Sequence, residues 1–329
     1  MEQIIRWGIL GTGNIAGKLA AGLALLPDAK LVAVASRTSD SAEKFGQQYN
    51  VAKRHASYEA LVNDPEVDVI YIATPHPMHA ENALLCLNAG KHVLCEKPFT
   101  MNRREAAKVI ALAREKKLFL MEAMWSRFAP LLVEAKSIVD SGTIGTVLKI
   151  DSDLSFAAGF GPEHRLYNPD LGGGALLDLG IYPLSLSSFF LGPVTAVVAM
   201  GELGDTGVDE QTAFLLQHEG GGMSTCACSL RMDTPCEMTL SGTLGNLRIH
   251  GRFHQSTSLT VTLADGSTRS VQKSPLGNGY AHEAMEVMRC LRAGLTESPV
   301  MPLDETLALM GVLDTVRSQI GLSYAADLV

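Results

Sequence analysis

Two glycines near the start of the chain carry the first chemistry that can be read from it. Gly11-Thr12-Gly13-Asn14-Ile15-Ala16 follows an apolar run and precedes a helical pattern. At that spacing the backbone can turn tightly and approach a pyrophosphate, which then rests on the N-terminus of the following helix. Gly11, Gly13, Asn14 and Ile15 are therefore the candidate cradle, with Ala16 at the third glycine position, and the strand–turn–helix context is what gives the match weight. The second apolar run ends in Ala35-Ser36-Arg37-Thr38, with no acidic residue before Asp40. A carboxylate there would bind the ribose 2′-hydroxyl of NAD; Arg37, flanked by the hydroxyls of Ser36 and Thr38, suits a 2′-phosphate, the alternative being a solvated surface arginine. NADP is favoured over NAD. Two further motifs, Thr74-Pro75-His76-Pro77-Met78-His79 and Cys95-Glu96-Lys97-Pro98, end apolar runs of the same kind. Open α/β sheets bind ligands at the carboxyl ends of their strands, so Thr74, His76, His79, Glu96 and Lys97 join the cofactor candidates. Each histidine either caps the next helix or touches the cofactor, and Lys97 needs a partner that the adjacent Glu96 or a bound cofactor would supply.

The elements that must position these residues follow from periodicity. Strands are predicted at Ile4–Leu10, Leu31–Ala35, Val69–Ala73, His92–Cys95 and Leu118–Glu122, alternating with helices at Ile15–Leu26, Ser39–Tyr49 (capped by Ser39 or Asp40), Ala80–Ala89 and Arg103–Lys116. Apolar strands alternating with amphipathic helices predict a doubly wound parallel sheet, a Rossmann domain over residues 1–122. Beyond it, Gly173–Phe190 reads as a helix, and strand-like runs follow one another through short turns. These are Thr146–Ser155, Val194–Met200, Ala213–Gln217, Met223–Leu230, Glu237–Ser241, Asn246–Ile249, Leu259–Leu263 and Arg269–Val271. Consecutive strands of this kind imply a mainly antiparallel sheet, closed by helices at Ala281–Ala293 and Asp304–Ile320. Residues 123–329 are expected to form one α+β domain. Asp178 and Tyr182 are four apart and would share one helical face. Gly180 and Pro183 weaken the same helix, which marks it either as a functional segment or as a packing kink.

Several stretches resemble the glucose–fructose oxidoreductase and inositol dehydrogenase family. They are Ala73-Thr74-Pro75 with His79, the run Ala89-Gly90-Lys91-His92-Val93-Leu94-Cys95-Glu96-Lys97-Pro98, and Gly172-Gly173-Gly174 with Asp178. Glu122-Ala123-Met124-Trp125-Ser126-Arg127-Phe128 with Pro130, and Arg165-Leu166-Tyr167 leading to Gly180-Ile181-Tyr182-Pro183, are similar to a narrower group. That group comprises the dimeric dihydrodiol dehydrogenases and related NADP-linked aldose (D-xylose) dehydrogenases. The resemblance spans essentially the whole chain. It implies that Lys97 is the active-site lysine beside the nicotinamide, that Asp178 is an acid of the substrate pocket, and that the second domain's sheet serves self-association, as a dimer rather than a tetramer. Tyr182 stands where many members have a catalytic histidine, a departure that argues against an inositol substrate.

Oxidising an alcohol with NADP needs a hydride acceptor and a base for the hydroxyl proton. A tyrosine titrates near pH 10 unless a neighbouring cation favours its phenolate. Tyr182 is accordingly assigned the proton, Lys97 its electrostatic support and Asp178 the orienting role, with Lys97 as the base in the alternative assignment. Trp125, Arg127 and Arg165 either line the substrate pocket or serve packing and ion pairing. The expected activity is hydride transfer between NADP and a CH–OH or carbonyl group of a sugar, polyol or cyclic dihydrodiol. A cofactor-sensing protein without turnover, or an NAD-dependent glycoside hydrolase of the same family, are the other readings.

Composition narrows the partners. With 27 Lys and Arg against 35 Asp and Glu, the net charge is −8, which disfavours nucleic acid. The six cysteines form no CxxC pair and no metal-ligand spacing, so no metal is expected and the thiols read as buried groups of a reducing compartment. The first ten residues lack a basic region and cleavage site and read as a strand, and no segment approaches 18 uninterrupted apolar residues. These features predict a cytoplasmic protein acting on a small molecule, without a membrane partner, and the homodimer is what the resemblance implies.

Overall fold

A computed structural model of the chain describes residues 3–328; the ends of the expected domains, Met1, Glu2 and Val329, lie outside the described residues. Two compact units emerge, one from 1–125 with 276–307 and one from 126–275 with 308–329. The first unit thus takes back a segment that the sequence reading assigned wholly to 123–329.

The first unit is built on strands β1 (Ile5–Leu10), β2 (Ala29–Ala35), β3 (Lys53–His55), β4 (Val69–Ile72), β5 (His92–Glu96) and β6 (Leu120–Ala123). They lie in the order β3-β2-β1-β4-β5-β6, every pair parallel. This is the doubly wound arrangement, whose strand order reverses beside β1. All of β4 and most of β1 and β5 are buried, as strands covered on both faces must be. Helices α1 (Asn14–Leu23), α2 (Ser39–Gln48), α3 (Tyr58–Val62), α4 (His79–Asn88) and α5 (Arg103–Lys116) connect them. The cap of α2 is Thr38, whose hydroxyl accepts from the Ser41 amide, rather than Ser39 or Asp40. In the returning segment, α8 (Ala281–Arg292) packs on α1, so closely that a Cβ on Gly22 would lie 2.9 Å from the Ala281 nitrogen.

The second unit opens with α6 (Pro130–Asp140), followed by β7 (Val147–Ser155). It contains α7 (Ile181–Leu191) and strands β8 (Val194–Leu203), β9 (Asp209–His218), β10 (Met223–Ser229), β11 (Met238–Gly242), β12 (Gly245–Ile249), β13 (Ser258–Leu263) and β14 (Thr268–Gln272). These form one sheet, β14-β13-β12-β11-β7-β10-β9-β8, antiparallel except for β7 beside β10. Its inner face carries the core: Ile150, Phe214, Leu216, Cys226, Leu240 and Leu247 are buried. Its outer face divides. On β8–β10 it shows Val198, Met200, Leu215 and Met223, with Met200 81% exposed. Over β11–β13 lies a depression of about 550 Å³ lined by Thr239, Asn246, Arg248, Thr260 and Thr262, and it includes none of the candidate site residues. The stretch Pro169–Leu191 is long and apolar enough to cross a membrane by length and composition, yet 89% of its apolar 18-residue window is buried inside the protein, as in a core helix.

Candidate active site

In the first unit the site begins where β1 turns into α1. Gly11 adopts φ +108°, and a Cβ there would lie 2.7 Å from the Ala73 carbonyl, so only glycine fits. Gly13 differs: its backbone is extended, and a Cβ would meet nothing within 4 Å. That space lies ahead of the first turn of α1, where Asn14 and Ile15 begin the helix and no side chain caps it. Room for a group, together with amides at a helix N-terminus that no side chain engages, is what a pyrophosphate requires. The residues present fit the dinucleotide. At the end of β2, Ser36 is buried within 3.4 Å of the Thr12 hydroxyl, while Arg37 is exposed. The Thr38 hydroxyl is engaged at its own helix cap, donating to Ser41 as well as accepting from it.

At the ends of β4 and β5 the backbone is tied by side chains. The fully buried ring of His79 spans two carbonyls, Thr74 O and Pro98 O, each 2.9 Å from a ring nitrogen, and its burial lowers its affinity for a proton. It sits between two strand ends and does not cap α4. His76 packs edge-on against it, and the Thr74 hydroxyl accepts from Asn82. Glu96 turns inward: one carboxylate oxygen accepts from the Tyr71 hydroxyl, the other from the backbone N–H of Lys97. Glu96 therefore supports the Lys97 main chain, a role that adjacency in sequence did not foretell. Lys97 is half-buried between buried neighbours, and the bond to Pro98 is cis. Beyond it the Phe99 amide donates to Glu122, whose other oxygen accepts from Thr306. Trp125 is buried and stacks on Tyr280 at 4.8 Å between ring centroids.

In the second unit the helix expected from Gly173 starts later. Gly172 (φ +69°) and Gly174 (φ +120°) keep the chain out of helical geometry, and Leu176–Gly180 then forms a π-helical turn that runs into α7. Such turns concentrate at functional sites. Its i→i+5 ladder offsets Asp178 and Tyr182 from the common face that a regular α-helix would give them. Gly180 suits the tight packing, since a Cβ there would lie 3.0 Å from the Cys228 sulfur. Asp178 receives both terminal nitrogens of Arg165, at 3.1 and 3.3 Å, with Arg165 half-exposed and Asp178 nearly buried. The ion pairing expected of Arg165 is therefore formed, with Asp178 as its partner. Tyr182 is buried, its ring 4.8 Å from that of His254. Arg127 is fully buried, donating to the hydroxyl and the carbonyl of Ser185 in the middle of α7, so it braces the helix from behind.

Sequence reasoning did not single out Tyr71, His254 or Asp209. Tyr71 lies inside a wholly apolar run and His254 in a short turn after β12 that matches no motif. Among the described residues no group of three or more histidine, cysteine, aspartate or glutamate side chains could hold a metal ion.

Comparison with known proteins places these features in a family. Residues 5–124 match the oxidoreductase family with an NAD-binding Rossmann fold, and residues 132–248 match the GFO/IDH/MocA C-terminal domain. The trans-1,2-dihydrobenzene-1,2-diol dehydrogenase of Mus musculus is 38% identical over 98% of this chain and 99% of its own length. The NADP(+) D-xylose 1-dehydrogenase of Hypocrea jecorina is 35% identical over 97% and 93%. Among solved structures, a mutant 3-ketoreductase from Actinomadura kijaniata in complex with TDP-benzene and NADP superposes with a TM-score of 0.86, at 26% identity over 97% and 98% of the two chains. The aldose-aldose oxidoreductase from Caulobacter crescentus, complexed with glycerol, superposes with a TM-score of 0.88, at 25% identity over 96% and 97%.

Proposed function

Because the chain belongs to the GFO/IDH/MocA oxidoreductase family and is an NAD(P)-dependent enzyme of sugar or diol oxidoreduction, we propose that it uses NADP to interconvert a cyclic dihydrodiol or an aldose with its oxidised form. The observation that carries this reading is the set of groups at the carboxyl ends of three parallel strands: the open space at Gly13 after β1, the exposed Arg37 after β2 and the half-buried Lys97 after β5. Arg37 holds the 2′-phosphate, Ser36 and Thr38 flank it, and Thr74, His76, His79 and Glu96 shape the nicotinamide end, His79 and Glu96 through the backbone they hold. The bound nicotinamide accepts or returns the hydride. Tyr182 takes or gives the hydroxyl proton, Lys97 stabilises the charge this leaves, and Asp178, held by Arg165, orients the substrate. Trp125 and Arg127 contribute by packing.

The nucleotide role belongs to residues 1–122 and the substrate and association roles to the chain after them, apart from the returning 276–307 segment. The enzyme works as a homodimer joined through the outer face of the second sheet, a reading supported by the apolar residues exposed on β8–β10. A cytoplasmic location is supported by six cysteines that are all free and buried.

The test is turnover of trans-1,2-dihydrobenzene-1,2-diol, D-xylose and a panel of polyols, followed at the NADPH absorbance, in parent, Tyr182→Phe and Lys97→Met proteins. A positioned acid or base contributes about 10²–10⁴ in rate, so Tyr182→Phe should lose roughly that factor with NADP affinity unchanged. Near-parent turnover in Tyr182→Phe moves the base to Lys97, and near-parent turnover in both removes these residues from the chemistry. Glycoside cleavage without net NADPH would mark the hydrolase of the same family, and cofactor binding without turnover of any substrate a sensor.

A further inference from the structure

We propose that Asp209 and Tyr324 are positioning residues that clamp the start of the Asp178–Tyr182 segment and thereby hold it in its π-helical geometry. The inference rests on the reading of that segment as catalytic. Its basis is an unusual way of ending a helix. The first amide of the π turn, Leu176 N–H, has no side-chain cap from its own chain neighbourhood, because Ala175 precedes it. The acceptor comes instead from the start of β9: Asp209 Oδ2 takes the Leu176 amide at 2.8 Å and the Thr212 hydroxyl at 2.7 Å. Three residues earlier, just ahead of the turn, the Gly173 carbonyl accepts from the Tyr324 hydroxyl at 2.5 Å. Tyr324 is itself fixed at the C-terminal end of the chain, where its amide donates to Asp327 and Arg317 lies over its ring.

Both clamps converge on Gly174. A Cβ there would lie 2.3 Å from Asp209 Oδ1 and 3.1 Å from the Tyr324 oxygen, so glycine is required by space as well as by its φ of +120°. The same turn sets Arg165, because the Gly174 amide donates to the Leu166 carbonyl at 2.8 Å and a Cβ on Gly173 would strike the carbonyls of Arg165 and Leu166. Loosening it therefore disturbs Asp178 and its ion-pair partner together.

Asp209 is wholly buried, and its Oδ1 has no hydrogen-bond partner among the described groups. A carboxylate left this way is costly. Burial pushes its pKa up to about 6, against the opposing pull of the Thr212 and Leu176 donors. The groups that face it are Thr212 on its own strand, the Cys228 thiol on β10 and the Tyr324 phenol, with Arg317 and Asp327 behind the phenol. Burial pushes both the thiol and the phenol further up, away from this range. Asp209 is then the member of this cluster that changes charge near pH 6, and the clamp should tighten or slacken there.

The experiment compares Asp209→Asn, Asp209→Ala and Tyr324→Phe in the full-length protein, with NADP and either D-xylose or trans-1,2-dihydrobenzene-1,2-diol. Asn keeps an oxygen for Leu176 and Thr212 without charge, so it should retain turnover while losing any acid limb of the pH–rate profile near 6. Ala leaves the Leu176 amide unpaired, and a misplacement of about an ångström costs on the order of 10²-fold. Its kcat should fall by roughly 10- to 100-fold with NADP affinity unchanged, and hydrogen exchange across 173–182 should quicken. Tyr324→Phe should quicken the same exchange. If Ala does not fold, the other two variants decide. Unchanged exchange in Tyr324→Phe and an unchanged acid limb in Asp209→Asn overturn the clamp, as does an Ala variant matching the parent in kcat, pH profile and exchange. Tyr182→Phe run beside them separates the two failures: full activity there overturns the reading of the segment, while an inactive Tyr182→Phe beside an unaltered Asp209→Ala overturns the clamp alone.

Discussion

The two fingerprint glycines should respond to substitution in opposite ways, and the difference isolates the cofactor cradle from the fold. At Gly13 the backbone has φ −77° and ψ 179°, which any residue adopts, and a Cβ meets nothing within 4 Å. The position is also the N-cap of α1, where serine is preferred over glycine by a few tenths of a kcal/mol. Replacing glycine reduces the freedom of the unfolded chain, a further gain of about 0.4–1 kcal/mol. Gly13→Ser should therefore unfold at a temperature equal to or a few degrees above the parent. It should also bind NADP worse, because its hydroxyl takes the helix amides and the space that a pyrophosphate needs. Losing one charge-assisted hydrogen bond of about 1.5–3 kcal/mol weakens binding about 10- to 150-fold. At Gly11 a Cβ must enter φ +108° at 2.7 Å from a backbone carbonyl, a strain of at least about 1–3 kcal/mol, so Gly11→Ala should lower the melting temperature. Calorimetric NADP titration and thermal unfolding of both variants check this. Parent-like NADP affinity in Gly13→Ser would refute the cradle, and an undiminished melting temperature in Gly11→Ala would refute the steric argument.

Arg37→Asp should reverse or abolish the preference for NADP over NAD, which a charge-assisted bond of roughly 1.5–3 kcal/mol places at about 10- to 150-fold; equal affinities of the parent for the two, by calorimetry at fixed salt, would sink the 2′-phosphate assignment. Acid stability should depend on Asp64. Burial alone would raise its pKa, but Lys53 at 2.8 Å, the Glu66 amide and His55 outweigh it and lower the value to about 2. A depressed carboxylate stabilises the fold above its unfolded pKa of 3.8 and loses that contribution as pH falls through about 2. The contribution is about 2 kcal/mol, so denaturant titrations should show the parent losing more stability than Asp64→Asn between pH 5 and 2. Sedimentation at micromolar concentration should show a dimer that Met200→Glu and Leu215→Glu dissociate, and a monomeric parent would contradict association through β8–β10.

The elements that sequence located are those whose hydrophobic pattern matches their burial. Helix α5 was read to the residue at Arg103–Lys116, and each of the eight strand-like runs after residue 145 became a strand of the second sheet. Strand β3 was missed because Lys53-Arg54-His55 is a polar edge strand held by pairing with β2 and by ion pairs, with no apolar period. Helix α6 carried a usable signal, Pro130 at its first helical position. The return of 276–307 to the first unit left no local trace, because it depends on long-range contacts such as Arg292 with Asp28 at 2.6 Å.

The candidate site divides by the same logic. Gly11, Gly13, Arg37 and Lys97 were legible because each sits at a strand end whose geometry a short motif dictates. Residues that act through other residues carry no motif, since their partners are remote in sequence: Asp209 caps an amide 33 positions away, and Tyr324 reaches a carbonyl 151 positions away. Glu283 shows how far this goes. It is fully buried on α8 with neither carboxyl oxygen partnered, and burial and the Glu96 charge both raise its pKa well above the carboxylate range. Glu96 accepts from Tyr71 and from the Lys97 amide, so the negative charge is better solvated there. The proton belongs on Glu283, and a helix from the far end of the chain keeps a neutral acid beside the segment that carries Lys97. A linear reading sees an unremarkable glutamate on an amphipathic helix; only the fold reveals why its charge must be absent.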